Sequence, residues 1–243
     1  MLKTLLGRCI YESESGFRVY QNFKYRWLTL GTDALQTLIN RRYPNQAGLE
    51  YIPPLIKMVT QFPGDCCILG LGGAGLPHAL FPILPNAQIT AVDNNQEVID
   101  IARRYFRSEH ISNLTTIHQN AANFVQSTSD TYQHMIIDLY NGCEYPCECN
   151  NKAFITYCKA LLKPEGILAI NLINIEKEKD LFQYIRNEFN HWTLTVPIKG
   201  TSNTIVFAYH LVKSNNFLDK IQSMSFVKKL HWDARWGIIG EIS

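Results

Sequence analysis

The most restrictive feature of this chain is the run Cys66-Cys-Ile-Leu-Gly-Leu-Gly-Gly-Ala-Gly75, an apolar strand leading directly into glycines at 70, 72, 73 and 75. A G-x-G-x-x-G spacing after a strand predicts a tight turn and then a helix whose N-terminus faces a ligand, with the backbone free to approach a nucleotide closely. Pro77 suits the start of that helix. Eighteen residues beyond Gly75, Asp93 closes a second apolar run, Ile89-Thr-Ala-Val-Asp93. A carboxylate there can accept hydrogen bonds from both hydroxyls of a ribose. The glycines alone would equally suit a plain strand–helix turn. Strand, spacing and acid together point to nucleoside binding.

Around this motif, apolar runs at 66–71, 89–93, 114–118, 135–140 and 167–173 alternate with amphipathic stretches, clearest at 96–106 and 151–162. Lys163-Pro-Glu-Gly166 stops the second of these. The alternation predicts a parallel sheet covered by helices on both faces. Two later runs, 192–198 and 204–211, are joined by Lys199-Gly-Thr-Ser-Asn203 with no helix between them, which predicts an antiparallel hairpin at the sheet edge. The expected fold is thus α/β, a Rossmann-like seven-stranded sheet of the class I S-adenosylmethionine methyltransferase-like kind, over residues 48–213. Residues 1–47 read as a small N-terminal β domain with strands at 8–12, 17–20 and 25–30. A helix around 48–61 is expected to break or kink at Pro53 and Pro54. Residues 214–243, with Trp232 and Trp236, form an extension whose place and role the sequence does not give.

Composition removes several other classes. With 46% hydrophobic residues in a chain of 243, a full core can form and disorder is excluded. A net charge of +2 argues against a nucleic-acid binder, which needs a strong basic footprint. No apolar run approaches the roughly 20 residues of a bilayer span, so no membrane partner is expected. Met1-Leu-Lys-Thr-Leu-Leu6 lacks the apolar core and cleavage site of a signal peptide. Seven scattered cysteines read as free thiols in a reducing cytosol, and the expected location is cytoplasmic. Cys66 and Cys67 should be core residues. Cys143, Cys147 and Cys149 would need His134 or His118 nearby to hold zinc. Structural thiols are the expectation, and no metal. His78 is expected at the surface or beside a helix cap.

The glycine fingerprint serves dinucleotides as well as S-adenosylmethionine-type cofactors. Two features favour the latter. The sheet ends in a two-strand hairpin, and the fourth strand, His134-Met-Ile-Ile-Asp-Leu-Tyr140, delivers Asp138 to its C-terminal end, where open α/β sheets bind ligands. The bland role for Asp138 is a helix or turn cap.

At this point the residues resemble the spermidine synthases, the polyamine aminopropyltransferases. The likeness rests on Gly70–Gly75, on Val92-Asp93 followed by 98–106, and on Ile136-Ile-Asp138 with Pro146 downstream. Gln36-Thr37 and Leu49-Glu-Tyr51 add to it, and the span is about 8–212. The resemblance implies a transferase whose co-substrate is decarboxylated S-adenosylmethionine or S-adenosylmethionine, a small amine acceptor, and a homodimer. It implies a cofactor site formed by Gln36, Gly70, Gly72, Gly73, Gly75, Asp93 with Asn94, and Asn120 with Ala121. Within that site Asp93 would hold the ribose, and Asn120 would accept from the adenine amino group through its side-chain oxygen. Asp138 would be the base for the attacking amine, with Tyr140 beside it. Tyr51, Asn141 and Glu144 would line the acceptor side.

Certain positions depart from that family. Gly73 or Ala74 stands where the glycine loop usually carries an Asp for the cofactor's amino group, and Asn141 replaces a second acid. Ile52-Pro53 replaces a His-Glu pair. A polycationic acceptor needs carboxylates to offset the desolvation of its ammonium groups. Weak use of putrescine is therefore expected unless Glu144 or Glu148 substitutes. Ordinary methyl transfer from S-adenosylmethionine, or a catalytically silent nucleoside-binding relative, are the alternatives. No hydride-transfer constellation supports an NAD-dependent oxidoreductase.

Overall fold

The structure, a computed structural model, describes residues 2–140, 145–211, 217–224 and 227–242. Four strands, β1 (Arg8–Glu12), β2 (Phe17–Gln21), β3 (Tyr25–Leu30) and β4 (Leu35–Asn40), form an antiparallel meander in chain order. The first three match the sequence expectation. The fourth was not expected. Its Gln36-Thr37 pair breaks the apolar alternation, and a register irregularity between Leu28 and Thr29 precedes it.

Helix α1 (Ile52–Gln61) follows, beginning four residues later than expected. Pro53 and Pro54 neither break nor kink it, because they occupy its first turn. There the missing N–H has no intrahelical partner to lose and the fixed φ is already helical. Ile52, Leu55, Met58 and Val59 bury one face against the main sheet.

That sheet alternates β5 (Cys66–Leu69), α2 (Gly75–Leu80), β6 (Ile89–Asp93), α3 (Gln96–Phe106), β7 (Leu114–His118), α4 (Ala121–Ser127) and β8 (Tyr132–Ile137). It continues through α5 (Lys152–Ala160), β9 (Leu162–Leu172), α6 (Lys179–Glu188), β10 (Thr193–Pro197) and β11 (Thr204–Tyr209). The seven expected strands are ordered β7-β6-β5-β8-β9-β11-β10, with β10 and β11 the antiparallel hairpin. The hairpin is not the edge of the sheet, however. After α7 (Phe217–Gln222), β12 (Val227–Asp233) and β13 (Gly237–Ile242) add two strands, β13 running parallel to β10, and the sheet has nine. Trp236 anchors this addition against Phe182 at 5.2 Å between ring centres, whereas Trp232 stays exposed.

Both sheet faces are covered, as continuous apolar strands require. Along β5, Cys66 and Ile68 join one core with Leu55, Met58 and Leu80, while Cys67 and Leu69 join the other with Phe154, Ile155 and Phe182. A third cluster has consequences for the site. Val19, Leu28 and Ile39 of the meander pack on Ile101 and Phe106 of α3, which sets β4 directly over the turn after β5. His78 is buried within this region, not at the surface, with Nε2 2.6 Å from the carbonyl of Phe106.

Candidate functional site

The cavity follows from strand order. The turns after β7, β6, β5, β8 and β9 lie side by side along the C-terminal edge of the parallel strands, with the β10–β11 turn alongside. In that order these strand ends and turns present Asn120, Asp93, Gly70 with Gly72 and Gly75, Asp138, Asn171 and Asn203, all lining one cavity of about 850 Å³, which Gly73 does not line. Asp93 and Asp138 are separated by β5, so at about 4.8 Å per strand they stand about 10 Å apart. The volume lies within the usual range for a small-molecule site.

The glycine turn is fixed by protein contacts on both sides. Gly70 has φ +100°, and a Cβ there would stand 2.2 Å from the carbonyl oxygen of Asp138. Gly72 has φ +51°, with the Thr37 hydroxyl 2.9 Å from where a Cβ would be. That hydroxyl, on β4, accepts from the Gly73 amide at 2.7 Å. Thr37 is a site residue whose role the sequence did not show, because only the packing of the meander on α3 brings it to the turn.

Asp93 closes the turn from the other side. Its Oδ2 accepts from the amides of Leu71 at 3.0 Å and Gly72 at 3.4 Å, and its Oδ1 from Asn95 at 3.0 Å. Burial raises its carboxyl above the ordinary value, and the three amide hydrogen bonds act against that. Each carboxylate oxygen accepts more than one hydrogen bond, so the acid retains capacity for a ligand. Asn95 caps α3 by accepting from Glu97 and Val98 at 2.9 and 3.3 Å, which sets the direction of the loop carrying Asn94. Gln36, Asn94 and Ala121 also line the cavity.

Asn120 departs from expectation. Its side-chain oxygen is engaged in capping α4, accepting from Ala122 at 2.9 Å and Asn123 at 3.3 Å. Its amide nitrogen donates to Oε1 of Glu148 at 3.0 Å. An Asn after a strand and before a helix is first of all an N-cap, and here that role prevails. The acceptor facing the cavity at this end is the Glu148 carboxylate, which Asn120 holds in place and which stays below its ordinary pKa.

At the other end, Asp138 takes two donors. Tyr51, the N-terminal boundary residue of α1, donates its hydroxyl to Oδ2 at 2.6 Å, and Asn171 donates its amide to Oδ1 at 2.9 Å. Burial raises the Asp138 carboxyl, and both hydrogen bonds favour the ionised form against that trend. Tyr140 lines the cavity as well. Its hydroxyl lies 2.8 Å from the carbonyl of Asn171 and 3.1 Å from Glu178 Oε1, and accepts from the Ile173 amide at 2.7 Å. What Tyr140 offers the cavity is its ring, while its hydroxyl ties the end of β9 to Glu178. Asn141, Glu144 and Cys143 lie outside the described residues.

Among the described residues no group of three or more His, Cys, Asp or Glu could hold a metal ion. His134, in β8, is buried with Nε2 at the carbonyl of Phe62. Cys66, Cys67, Cys149 and Cys158 are buried and Cys147 is exposed.

A sheet of this order, with a glycine turn after its first strand and acids closing the strands on either side, has the class I methyltransferase-like architecture. The spermine/spermidine synthase domain model matches residues 65–213, and the chain belongs to that family. A polyamine aminopropyltransferase of Neisseria meningitidis is 23% identical over 223 residues, covering 88% of this chain and 85% of that protein. Spermidine synthase from Thermotoga maritima superposes with a TM-score of 0.65 at 17% identity, covering 93% of this chain and 81% of that one. Human methyltransferase-like protein 13, solved with SAH, gives 0.60 at 17%, covering 77% and 97%. These two structural likenesses establish the fold.

Proposed function

We propose that this chain transfers an aminopropyl group from decarboxylated S-adenosylmethionine to an amine acceptor other than putrescine. The observation that carries the reading is the pair Asp93 and Asp138 at opposite sides of the glycine turn in one cavity. On this reading the adenosyl part lies over the turn, its ribose on Asp93 and its base toward Glu148. The amine nitrogen then forms a bond to the carbon next to the positive sulfur. The carbon–sulfur bond breaks, its electron pair stays on sulfur to give a neutral thioether, and Asp138 takes the ammonium proton. Alignment within the cavity supplies much of the acceleration. A thermal-shift panel of decarboxylated S-adenosylmethionine, S-adenosylmethionine, methylthioadenosine and NAD tests it, since a ligand of the native state raises stability by mass action. Stabilisation by NAD alone would overturn the reading.

Methyl transfer from S-adenosylmethionine is the second reading, favoured by the glycine turn itself. Gly73 and Ala74 offer no carboxylate to the cofactor's amino end, and the Gly73 amide is bonded to Thr37. A stronger thermal shift with S-adenosylmethionine than with its decarboxylated form would select it.

Asp93→Ala is expected to weaken nucleoside binding by roughly 1.5–3 kcal/mol, the scale of hydrogen bonds to a charged group. Calorimetry with methylthioadenosine checks this, and equal affinity for both proteins would remove Asp93 from the site.

The acceptor end of the cavity is poor in charge. Glu50 is ion-paired with Lys3 at 3.0 Å, and Asp93 and Glu148 belong to the opposite end. Asn171 and Asn203 are neutral, which leaves Asp138 as the charged group there among the described residues. A diamine needs a second acidic partner, and lacking one charge-assisted hydrogen bond costs about 1.5–3 kcal/mol, or about ten- to a hundred-fold in affinity. Putrescine is therefore expected to be a poor acceptor. Steady-state turnover at a micromolar Michaelis constant would show otherwise, and its loss in Glu144→Gln would then identify the substituting acid.

A further inference from the structure

The β10–β11 turn reads in the sequence as a mere connection, Lys199-Gly-Thr-Ser-Asn203. In the fold it forms one wall of the cavity, through Gly200, Thr201 and Asn203. Because β11 runs antiparallel to β9, with Thr204 opposite Leu172 and Ile205 opposite Asn171, the side chain of Asn203 meets that of Asn171. The turn holds Asn203 from both sides of its backbone. Its carbonyl accepts from the Ile198 amide at 2.9 Å, and its own amide donates to the Thr201 hydroxyl at 3.1 Å.

The direction of the hydrogen bonds is fixed from one end. An ionised carboxylate can only accept. Asn171, 2% exposed, must therefore turn its amide nitrogen to Asp138, and the distance is 2.9 Å. Its amide oxygen then faces Asn203, and an oxygen of that kind also only accepts. Asn203 must present its nitrogen, again at 2.9 Å. Reversing Asn171 would set acceptor against acceptor beside Asp138 and donor against donor between the two asparagines, and reversing Asn203 would set acceptor against acceptor between them.

We infer that Asn203 is a positioning residue that fixes the orientation of the Asn171 amide and so holds Asp138 in its ionised, proton-accepting form. Only the role of Asp138 as the base rests on the transfer proposed above; the relay itself does not. The groups that face Asp138 are the Tyr51 hydroxyl from the start of α1, the Asn171 amide from β9, and Tyr140 just beyond β8, with Glu178 behind Tyr140. Tyr51 donates independently of Asn203, so removing Asn203 weakens one of two hydrogen bonds and leaves the other. Without its partner, Asn171 is free to rotate, and the ionised form of Asp138 loses a steady donor in a site where burial already disfavours charge.

The test is a carboxyl titration by NMR of protein labelled with ¹³C at the aspartate side chains, with Asp138→Asn used to assign the Asp138 signal. It needs no acceptor and no turnover. In Asn203→Ala the Asp138 midpoint is expected to move to higher pH. Asn203→Asp, which keeps the shape of the side chain should Ala loosen the turn, places an acceptor-only group at the far end. One carboxyl of the pair must then keep its proton, so the two titrate as a coupled pair, one of them at higher pH than Asp138 in the unmodified chain. An unmoved midpoint in Asn203→Ala, or independent titration of the two carboxyls in Asn203→Asp, overturns the inference. Methylthioadenosine calorimetry on the unmodified chain separately tests the functional reading. If the nucleoside fails to bind while the midpoints move, the relay stands and the transfer does not.

Discussion

Asp138→Asn is expected to lower kcat by about 10²–10⁴-fold, the usual contribution of a positioned general base, while methylthioadenosine still binds. The substitution keeps shape and removes the site that takes the proton. In the unmodified protein, burial raises the Asp138 carboxyl, and Asn171 and Tyr51 pull it back only in part. The base form is therefore lost as pH falls through that raised value. The acid limb of kcat/KM should lie above the ordinary carboxylate range. In Asp138→Asn that limb should disappear together with the rate. Rates with decarboxylated S-adenosylmethionine or S-adenosylmethionine and an accepted amine, measured across pH, decide the matter. A loss of less than ten-fold, with the acid limb retained, would assign the proton to another group.

Much of this site is written locally in the chain, and the rest is not. The strand–glycine run, Asp93 and Asp138 were legible because each stands at a strand end, and strand ends of a parallel sheet converge by construction. Asn120 has a second role of local origin, since the same oxygen that could read a ligand also caps a helix, and the cap lies two and three residues away. Asn171 and Asn203 carry no local signal, and Gln36-Thr37 carries a resemblance without showing what Thr37 does. Thr37 reaches the glycine turn only because the meander packs on Ile101 and Phe106. Asn171 sits inside an apolar strand, and Asn203 meets it only through the antiparallel register of β11 on β9. The two added strands were hidden similarly. β12, with Lys228, Lys229 and His231, shows little apolar alternation, and β13 touches β10 through a short parallel pairing at Leu194 and Thr195.

The glycine turn yields the largest expected effect on stability, and the prediction separates two reasons for a glycine that a motif treats alike. At Gly70 the backbone has φ +100°, where an L side chain is strained, and the added Cβ would meet the Asp138 carbonyl at 2.2 Å. The obstacle is backbone at the end of β8, pinned by the Asp138 amide to the Leu69 carbonyl at 2.9 Å, so it cannot swing aside as a side chain would. Strain of about 1–3 kcal/mol and overpacking of about 1–3 kcal/mol act together. Gly70→Ala should therefore cost about 2–6 kcal/mol, lower the melting temperature by about 5–20 °C, and displace Asp138 from Tyr51 and Asn171. At Gly75 no positive φ is present, and the nearest obstacle is the Thr37 methyl at 3.3 Å, which a small shift relieves. Gly75→Ala should cost under about 1.5 kcal/mol, as a mild increase in core volume does. Thermal melts followed by circular dichroism, with methylthioadenosine calorimetry on each variant, compare the two. Equal melting temperatures for Gly70→Ala and Gly75→Ala would mean that the turn after β5 does not press on the end of β8. The cavity would then owe its shape to something other than that contact.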